Sequence, residues 1–315
     1  VRGGRAQVSE AATPGAPRSP AEDAPHARVP GGEYTFRDRA RRLHALAAGH
    51  SLSGYLEFMA RLVEAQAHAA HALAGRVPTA SADHIAACIA EGRPVYPALG
   101  WARDPVGRQA LDLILGRLAT EEAASLAVRE LGVAPPERIE AIAEHLLAGE
   151  FQTEHPAQAP LVAAALQVYW NALASQLDAN LFRPGGQATG LCPACGSAPV
   201  ASVVRIGGVE QGLRYLHCSL CDAEWHLPRV QCSNCSNTTD LGYFAVEGAG
   251  EAVKAEACDT CHSYLKQVYM TKAPEADPVA DDLATLALDM LMAERDYLRS
   301  GPNLLFIPGP EHDAD

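Results

Sequence analysis

Eight of the nine cysteines in this 315-residue chain stand in four Cys-x-x-Cys pairs, and this pattern constrains the fold more than any other feature. The pairs bound two stretches, CPACGSAPVASVVRIGGVEQGLRYLHCSLC and CSNCSNTTDLGYFAVEGAGEAVKAEACDTC. Every cysteine of the first stretch recurs 40 positions later in the second. We interpret this rhythm as the internal duplication of a unit that carries four thiols.

The paired thiols are candidate ligands of two metal ions. Four sulfurs arranged as a tetrahedron suit zinc, and they suit a single iron equally well. The repeat favours one metal within each unit, although a cross-brace, in which alternate pairs share a metal, is the competing arrangement. Buried or disulfide-bonded cysteines are the other interpretation. The predicted ligands are Cys192, Cys195, Cys218 and Cys221 in the first unit, and Cys232, Cys235, Cys258 and Cys261 in the second.

The residues between the two pairs of each unit are sufficient for a hairpin, which makes each unit similar to a zinc ribbon or a rubredoxin-like module. Gly196, directly after a cysteine pair, would relieve the backbone where it folds over the metal. The second unit has polar residues around its first pair, so we expect its site to be the more exposed of the two. His217, His226 and His262 lie near the cysteines, but four thiols per unit leave them no place as ligands.

The rest of the chain predicts a helical domain before the duplicated units and a helix after them. Apolar residues recur at steps of three and four from about residue 34 to residue 180, and again from Asp281 to Arg299. We therefore predict an α+β fold with an N-terminal helical domain, two tandem metal modules and a C-terminal helix. The expected divisions are a disordered segment 1–33, a helical domain 34–184, a first unit 185–231, a second unit 232–272 and a C-terminal helix with its tail 273–315.

Composition excludes several classes of function. A net charge of −13 argues against a general nucleic-acid-binding protein, because phosphate neutralisation requires an excess of Lys and Arg. No apolar run is long enough to span a bilayer, so we expect no membrane insertion. The Ala-, Pro- and Gly-rich start has no apolar core of a secretory signal, which favours a cytoplasmic protein. We find no Gly-rich phosphate loop and no recognisable catalytic constellation.

The order of these segments resembles the family of formate dehydrogenase accessory proteins, FdhE. The resemblance is carried by RYLHCSLCDAEWHLPRVQCSNC, by ACDTCHSYLK and by the closing ADDLATLALDMLMAERDYLRSGPNLLFIPG. These stretches are more specific than any single Cys-x-x-Cys pair, and the likeness extends from about residue 34 to residue 309.

The resemblance implies an assembly factor rather than an enzyme. Members of this family support the formation of active respiratory formate dehydrogenase, contact its catalytic subunit and are thought to bind iron through rubredoxin-like cysteine pairs. Carried over by position, the eight cysteines above would hold two iron ions, with zinc as the alternative metal. Two other functions are open: a redox-active iron protein that acts on the client, and a zinc-ribbon adaptor whose metals are purely structural.

Overall fold

The computed structural model describes residues 24–151, 156–182, 190–248 and 250–306. It confirms the α+β class, because helices fill the first half of the described chain and one mixed sheet fills most of the second. The helices are α1 (Glu33–Ala47), α2 (Ser53–Ala72), α3 (Ala82–Ala90), α4 (Val106–Leu118), α5 (Ser125–Gly132), α6 (Pro136–Ala148), α7 (Ala159–Ala174), α8 (Pro278–Leu283) and α9 (Leu286–Ala293). The strands are β1 (Ala27–Arg28), β2 (Pro199–Val204), β3 (Arg214–Cys218), β4 (Glu224–His226), β5 (Leu241–Phe244), β6 (Val253–Cys258), β7 (Ser263–Tyr269) and β8 (Leu298–Arg299).

Helix α7 is the central helix of the helical domain. Its sequence APLVAAALQVYWNALA is apolar on every side, and a helix with this pattern is stable only when other elements cover it all round. Helices α2, α4 and α6 pack against it. Gln167 and Asn171 are its polar exceptions, and both are buried. They lie four residues apart, so they share one face of the helix.

Helix α1 joins the helical domain to the C-terminal part of the chain. It packs along α2 and also contacts α8. Its buried face consists of Phe36, Arg39, Ala40, Leu43 and Ala47, which recur at the helical spacing. An arginine therefore lies in the middle of an otherwise apolar stripe.

Two predicted helices are interrupted in the structure. The apolar spacing of GRQALDLILGRLATEEAASLAVRELG predicts one helix over residues 107–132, but this segment divides into α4, a short 3-10 turn at Glu122–Ala124 and α5. The predicted C-terminal helix breaks after Leu283, resumes at Leu286 and ends at Ala293; the expectation of helix up to Arg299 is wrong, because Leu298–Arg299 forms strand β8. Thr285 explains this second break, because its hydroxyl donates to the carbonyl oxygens of the preceding turn and so satisfies the end of α8.

The two units form consecutive halves of one sheet. The strand order is β1-β4-β3-β2-β7-β6-β5, and β8 pairs with β7 outside this path. Each unit is a three-stranded antiparallel meander, β2-β3-β4 in the first and β5-β6-β7 in the second. The register repeats as well: His217 lies opposite Glu224, and 40 positions later Ala257 lies opposite Tyr264. The duplication inferred from the sequence is thus a duplication of structure.

The expectation of disorder for residues 1–33 is wrong for the part that the structure describes. Ala27 and Arg28 form strand β1 and pair with Trp225 and Glu224 of β4. The Tyr215 hydroxyl donates to the Pro25 carbonyl at 2.8 Å, which fixes the chain just before the strand. Composition alone missed this segment because its partners belong to a distant part of the sequence. Residues 1–23 lie outside the described residues.

The remaining expected divisions match the change from helices to strands, but within the described residues they do not separate independent structural units. Helix α1 begins at Glu33, one residue before the expected start of the helical domain. The expected boundary near residue 185 falls in 183–189, outside the described residues. The two units share one continuous sheet, and α8 packs on β2 and β7, so neither unit is structurally separate from its neighbours.

Candidate metal centre

Each Cys-x-x-Cys pair forms a tight turn, and the residue after it has a left-handed backbone. Gly196 and Ser236 follow the first pair of each unit with φ of 79° and 63°, and Asp222 and His262 follow the second pair with φ of 60° and 50°. Glycine adopts this conformation without strain, and Asp and His adopt it more often than most residues. The prediction that Gly196 eases the backbone around the sulfurs is confirmed, and the same turn occurs four times.

Backbone N–H groups point at the sulfur atoms inside these turns. The N–H groups of Leu220 and Cys221 each donate to Cys218 Sγ at 3.4 Å, and two further N–H groups donate to Cys232 Sγ in the second unit. Such bonds favour the charged thiolate, which is the form that binds metals. Burial acts in the opposite direction and raises the pKa of Cys218 and Cys221 well above the ordinary value. Two buried thiolates therefore need a compensating positive charge, which a metal ion would supply.

The four sulfurs of each unit converge, and the units do not exchange cysteines. Within each group, the four Sγ atoms all lie within 4.8 Å of one another. This confirms pairing in order and rules out a cross-brace in this structure. The Sγ–Sγ distances include 3.5 Å for Cys192–Cys221, 3.4 Å for Cys195–Cys218, 3.7 Å for Cys232–Cys261 and 3.6 Å for Cys235–Cys258.

These separations fit a metal ion and do not fit a disulfide. A disulfide places its sulfurs about 2.05 Å apart. A tetrahedral ion with metal–sulfur bonds of about 2.3 Å places neighbouring sulfurs about 3.8 Å apart. Each group of four cysteines could therefore hold one ion. Zinc would act there as a structural cross-link, whereas iron would add a one-electron redox couple.

The first site is built into the contact between its unit and the helical domain. The N–H groups of Tyr96 and Ala98 donate to the carbonyl oxygens of Ala194 and Cys195 at 2.9 and 2.8 Å, so the segment after α3 runs beside the first cysteine pair. On the other side, the Gln167 amide donates to the Ser219 carbonyl at 2.8 Å. Gln167, one of the two polar residues of α7, therefore contacts the backbone of the second cysteine pair directly.

A buried charged cluster continues this contact directly behind Cys221. We call it the Asp222 cluster; it consists of Arg39, Asn171, His217, Asp222 and Glu224. Arg39 donates to Asp222 at 2.7 Å with both side chains fully buried, and Asn171 donates to the other carboxylate oxygen at 2.8 Å. His217 lies between the two carboxylates, 3.3 Å from Asp222 and 3.1 Å from Glu224.

The cluster holds its members in their charged forms. Burial opposes the charge on Asp222, but the attraction of Arg39 and the contact with His217 outweigh it and lower the pKa of Asp222 to about 2. Burial likewise opposes the charge on His217, and hydrogen bonds to Asp222 and Glu224 raise its pKa to about 9. Buried charges are tolerated only when they are paired. The first site is therefore fastened to the helical domain by ion pairs as well as by backbone bonds.

The second site is more open than the first. Cys235 is exposed and Cys261 is partly exposed, whereas all four cysteines of the first site are buried. The Ser263 hydroxyl lies 3.1 Å from Cys261 Sγ. Burial raises the pKa of Cys261, but the bond from Ser263 and those from Cys235 and Asn234 outweigh it and bring the pKa to about 6. The expectation that the second site is the more exposed is confirmed.

The sequence identified the eight cysteines but missed the polar residues that support them. The structure brings all eight together in two groups of four and leaves the neighbouring histidines outside both groups. His217 instead contacts the carboxylates of Asp222 and Glu224 and the guanidinium of Arg39. A signal for the cluster was present, since Gln167 and Asn171 are polar residues in an otherwise apolar helix and Arg39 interrupts an apolar stripe.

The fold and the site define a class of protein: a helical domain joined to a duplicated β unit, with two four-cysteine sites of which one is buried against the helices and one faces outward. None of the helices in the described ranges is long and apolar enough to cross a bilayer.

Comparison with known proteins places this class in a family. Three family models match the chain: FdhE, N-terminal over residues 24–186, FdhE, central domain over 191–229, and FdhE, C-terminal domain over 230–306. The chain is 42% identical over 284 residues to the protein FdhE homolog of Edwardsiella ictaluri, which covers 89% of this chain and 91% of the relative. It is 38% identical over 278 residues to the homolog of Pasteurella multocida, covering 88% and 90%.

A solved structure agrees with these sequence matches. The crystal structure of the FdhE protein from Pseudomonas aeruginosa superposes with a TM-score of 0.77 at 36% identity, and the match covers 90% of this chain and all of that one. The chain belongs to the FdhE family.

Proposed function

We propose that this protein is a cytoplasmic accessory protein that is required for the assembly of active respiratory formate dehydrogenase. In this role it binds the catalytic subunit of that enzyme and holds two metal ions in its four-cysteine sites. Family membership across all three domains, with both groups of four cysteines complete, is the observation that carries the proposal.

The arrangement of the two sites supports a binding role rather than catalysis. Cys192, Cys195, Cys218 and Cys221 would hold one ion, and Cys232, Cys235, Cys258 and Cys261 would hold the other. A tetrahedral set of four protein ligands leaves no open coordination position for a substrate, which is the usual property of structural or electron-transfer sites. We therefore expect no catalytic turnover by the protein itself.

Genetic complementation with co-purification tests the proposal. Deleting the gene in its own host should abolish respiratory formate dehydrogenase activity, and expressing the wild-type chain should restore it. A tagged chain should retain the catalytic subunit on an affinity column. Undiminished enzyme activity in the deletion strain would refute the proposed role, and a catalytic subunit that never co-purifies would refute direct binding.

The identity of the metal decides between a structural and a redox contribution. Elemental analysis of protein purified without oxygen should give two metal ions per chain. Two iron ions with thiolate-to-iron absorption in the visible range would support the redox alternative, in which iron acts on the client. Two zinc ions in a colourless preparation from iron-supplied cells would support an adaptor with structural metals.

A further inference from the structure

The two ends of the sheet differ in a way that the duplication makes informative. Inside the sheet, the first strand of the first unit, β2, pairs in parallel with the third strand of the second unit, β7. This contact is heterologous, because it joins the first strand of one unit to the third strand of the other. The sheet therefore ends in a third strand on one side and in a first strand on the other. Strand β4, a third strand, is covered by β1. Strand β5, a first strand, has no strand on its outer side in the described part of the chain.

The register shows which residues of β5 correspond to those that β2 uses. Ser202 and Val203 of β2 lie opposite Leu216 and Tyr215, and both pair with β7 on their other side. In the second unit, the residues opposite the corresponding positions of β6, Glu256 and Ala255, are Tyr243 and Phe244. By register, Tyr243 and Phe244 of β5 therefore correspond to Ser202 and Val203, the residues of β2 that pair with β7.

At one of these places the backbone groups of β5 point away from the sheet. The Asp240 carbonyl accepts from the Asp259 N–H at 3.0 Å, so Asp240 faces β6. Successive residues of a strand point their backbone groups to opposite sides. Gly242 and Phe244 consequently face β6, and the N–H and carbonyl of Tyr243 point outward. The Val204 carbonyl, which accepts from Met270 in the internal junction, has the same outward direction.

Strand β5 is short but carries neither of the two side-chain features that most directly discourage edge pairing. Its sequence LGYF has no charged residue and no proline, both of which discourage pairing at a sheet edge. Tyr243 is 46% exposed. On the opposite face of the sheet from Tyr243 lies an apolar strip, in which Phe244, Val246 and Tyr297 are only partly buried. The first residue of β5 lies opposite Cys258, so this edge begins next to the exposed metal site.

We propose that the outer edge of β5 is a docking site for an extended segment of the client protein, which adds to the sheet as a further parallel strand. The inference rests on the proposed function, because the client is the catalytic subunit of formate dehydrogenase. Strand addition uses backbone hydrogen bonds for affinity and neighbouring apolar surface for side-chain selection. A second copy of this chain cannot supply this parallel strand from its β4 edge, because β1 covers that edge.

A pair of variants at one position tests the inference. Tyr243→Pro removes the outward N–H, and proline is tolerated on an edge strand whose N–H faces solvent. Tyr243→Ala removes the same side chain but keeps the N–H, and is the matched control. Binding of the full-length variants to purified, cofactor-free catalytic subunit is measured, with metal content confirming that the second unit is intact. We expect Tyr243→Pro to bind about tenfold more weakly than Tyr243→Ala, the effect of one lost hydrogen bond.

Amide hydrogen exchange tests whether the client covers the edge of β5 in the complex. The Tyr243 amide should exchange rapidly in the free chain and slowly in the complex. Equal affinity of the two variants, or a complex in which this amide stays unprotected, would overturn the inference while leaving client binding in place. Protection of the Tyr243 amide in the free chain would also overturn the inference. It would mean that the chain's own residues cover this edge or, if the protection depends on protein concentration, that a second copy does. A wild-type chain that does not bind the subunit would refute the proposed function itself.

Discussion

The contrast between the two metal sites predicts that they release their ions at very different rates. A chelator reaches the second site directly, because Cys235 is exposed, but the four cysteines of the first site are buried against the helical domain. Access to the first site requires local opening of that contact. The perturbation that tests this is Asp222→Asn, which removes the negative charge that Arg39 contacts and keeps the shape and left-handed backbone of the residue.

The contacts that must open set the magnitude. Three hydrogen bonds, from Tyr96 and Ala98 to the first cysteine pair and from Gln167 to the second, contribute about 1 kcal/mol each. Loss of the buried Arg39–Asp222 pair costs about 3 kcal/mol or more. Opening therefore costs about 6 kcal/mol, which makes release from the first site about 10⁴-fold slower than release from the second. Asp222→Asn should accelerate that slow release by about 10²-fold.

The assay is transfer of zinc from the fully loaded chain to a chromogenic chelator. We expect two phases of equal amplitude for the wild-type chain, and an accelerated slow phase with an unchanged fast phase for Asp222→Asn. The chain offers a matched control at the equivalent position of the second unit, His262, which has the same left-handed backbone but is exposed. His262→Asn should leave the slow phase unaltered.

Two results would refute this reasoning. If the wild-type chain released both ions in a single phase, the helical domain would not be protecting the first site. If Asp222→Asn accelerated both phases equally, the substitution would be loosening the whole sheet rather than the contact between Arg39 and the first unit.

Three further predictions follow from other contacts. Cys232→Ala should lose one metal ion and retain the helical circular dichroism signal of the chain. Cys192→Ala should also lower the thermal stability of the helical domain, because the first site is part of the contact surface of that domain. Equal loss of helix in both variants would contradict this prediction. Asp282 is fully buried between Lys266 at 3.0 Å and Arg299 at 2.6 Å. Burial opposes its charge, but the two cations outweigh burial and lower its pKa, so its contribution is present above the unfolded value of about 3.9 and is lost as the pH falls through the folded value. Asp282→Asn should therefore cost about 3–5 kcal/mol at pH 7, with a difference from the wild-type chain that shrinks below pH 4 in thermal unfolding experiments; a difference that stays constant with pH would refute it. Gly301→Ala would place a Cβ 1.8 Å from the Pro199 carbonyl oxygen and should cost about 1–3 kcal/mol in chemical denaturation, while Gly132→Ala, where nothing lies within 4 Å of the added Cβ, is the control.

The sequence predicted those features of the protein that depend on the spacing of nearby residues. The cysteine turns, the hairpins between them and most helices are set by residues close together in the chain, so pattern and spacing predicted them. The partners in the Asp222 cluster are far apart in sequence: Arg39 and Asp222 are 183 residues from each other. No periodicity connects such residues. Strand β1 was missed for the same reason, since only its pairing with β4 makes Ala27 part of the sheet.

The duplication also shows why equal ligand sets need not have equal roles. Both units place a left-handed residue after their last cysteine, and that requirement is met by Asp222 in one and by His262 in the other. The backbone demand is the same, but the side chains have different surroundings. Asp222 enters a buried ion pair with the helical domain, while His262 remains exposed and lies beside Tyr297, with ring centroids 5.9 Å apart. The first unit is thereby built into the core, and the second leaves its four-cysteine site and its sheet edge facing outward.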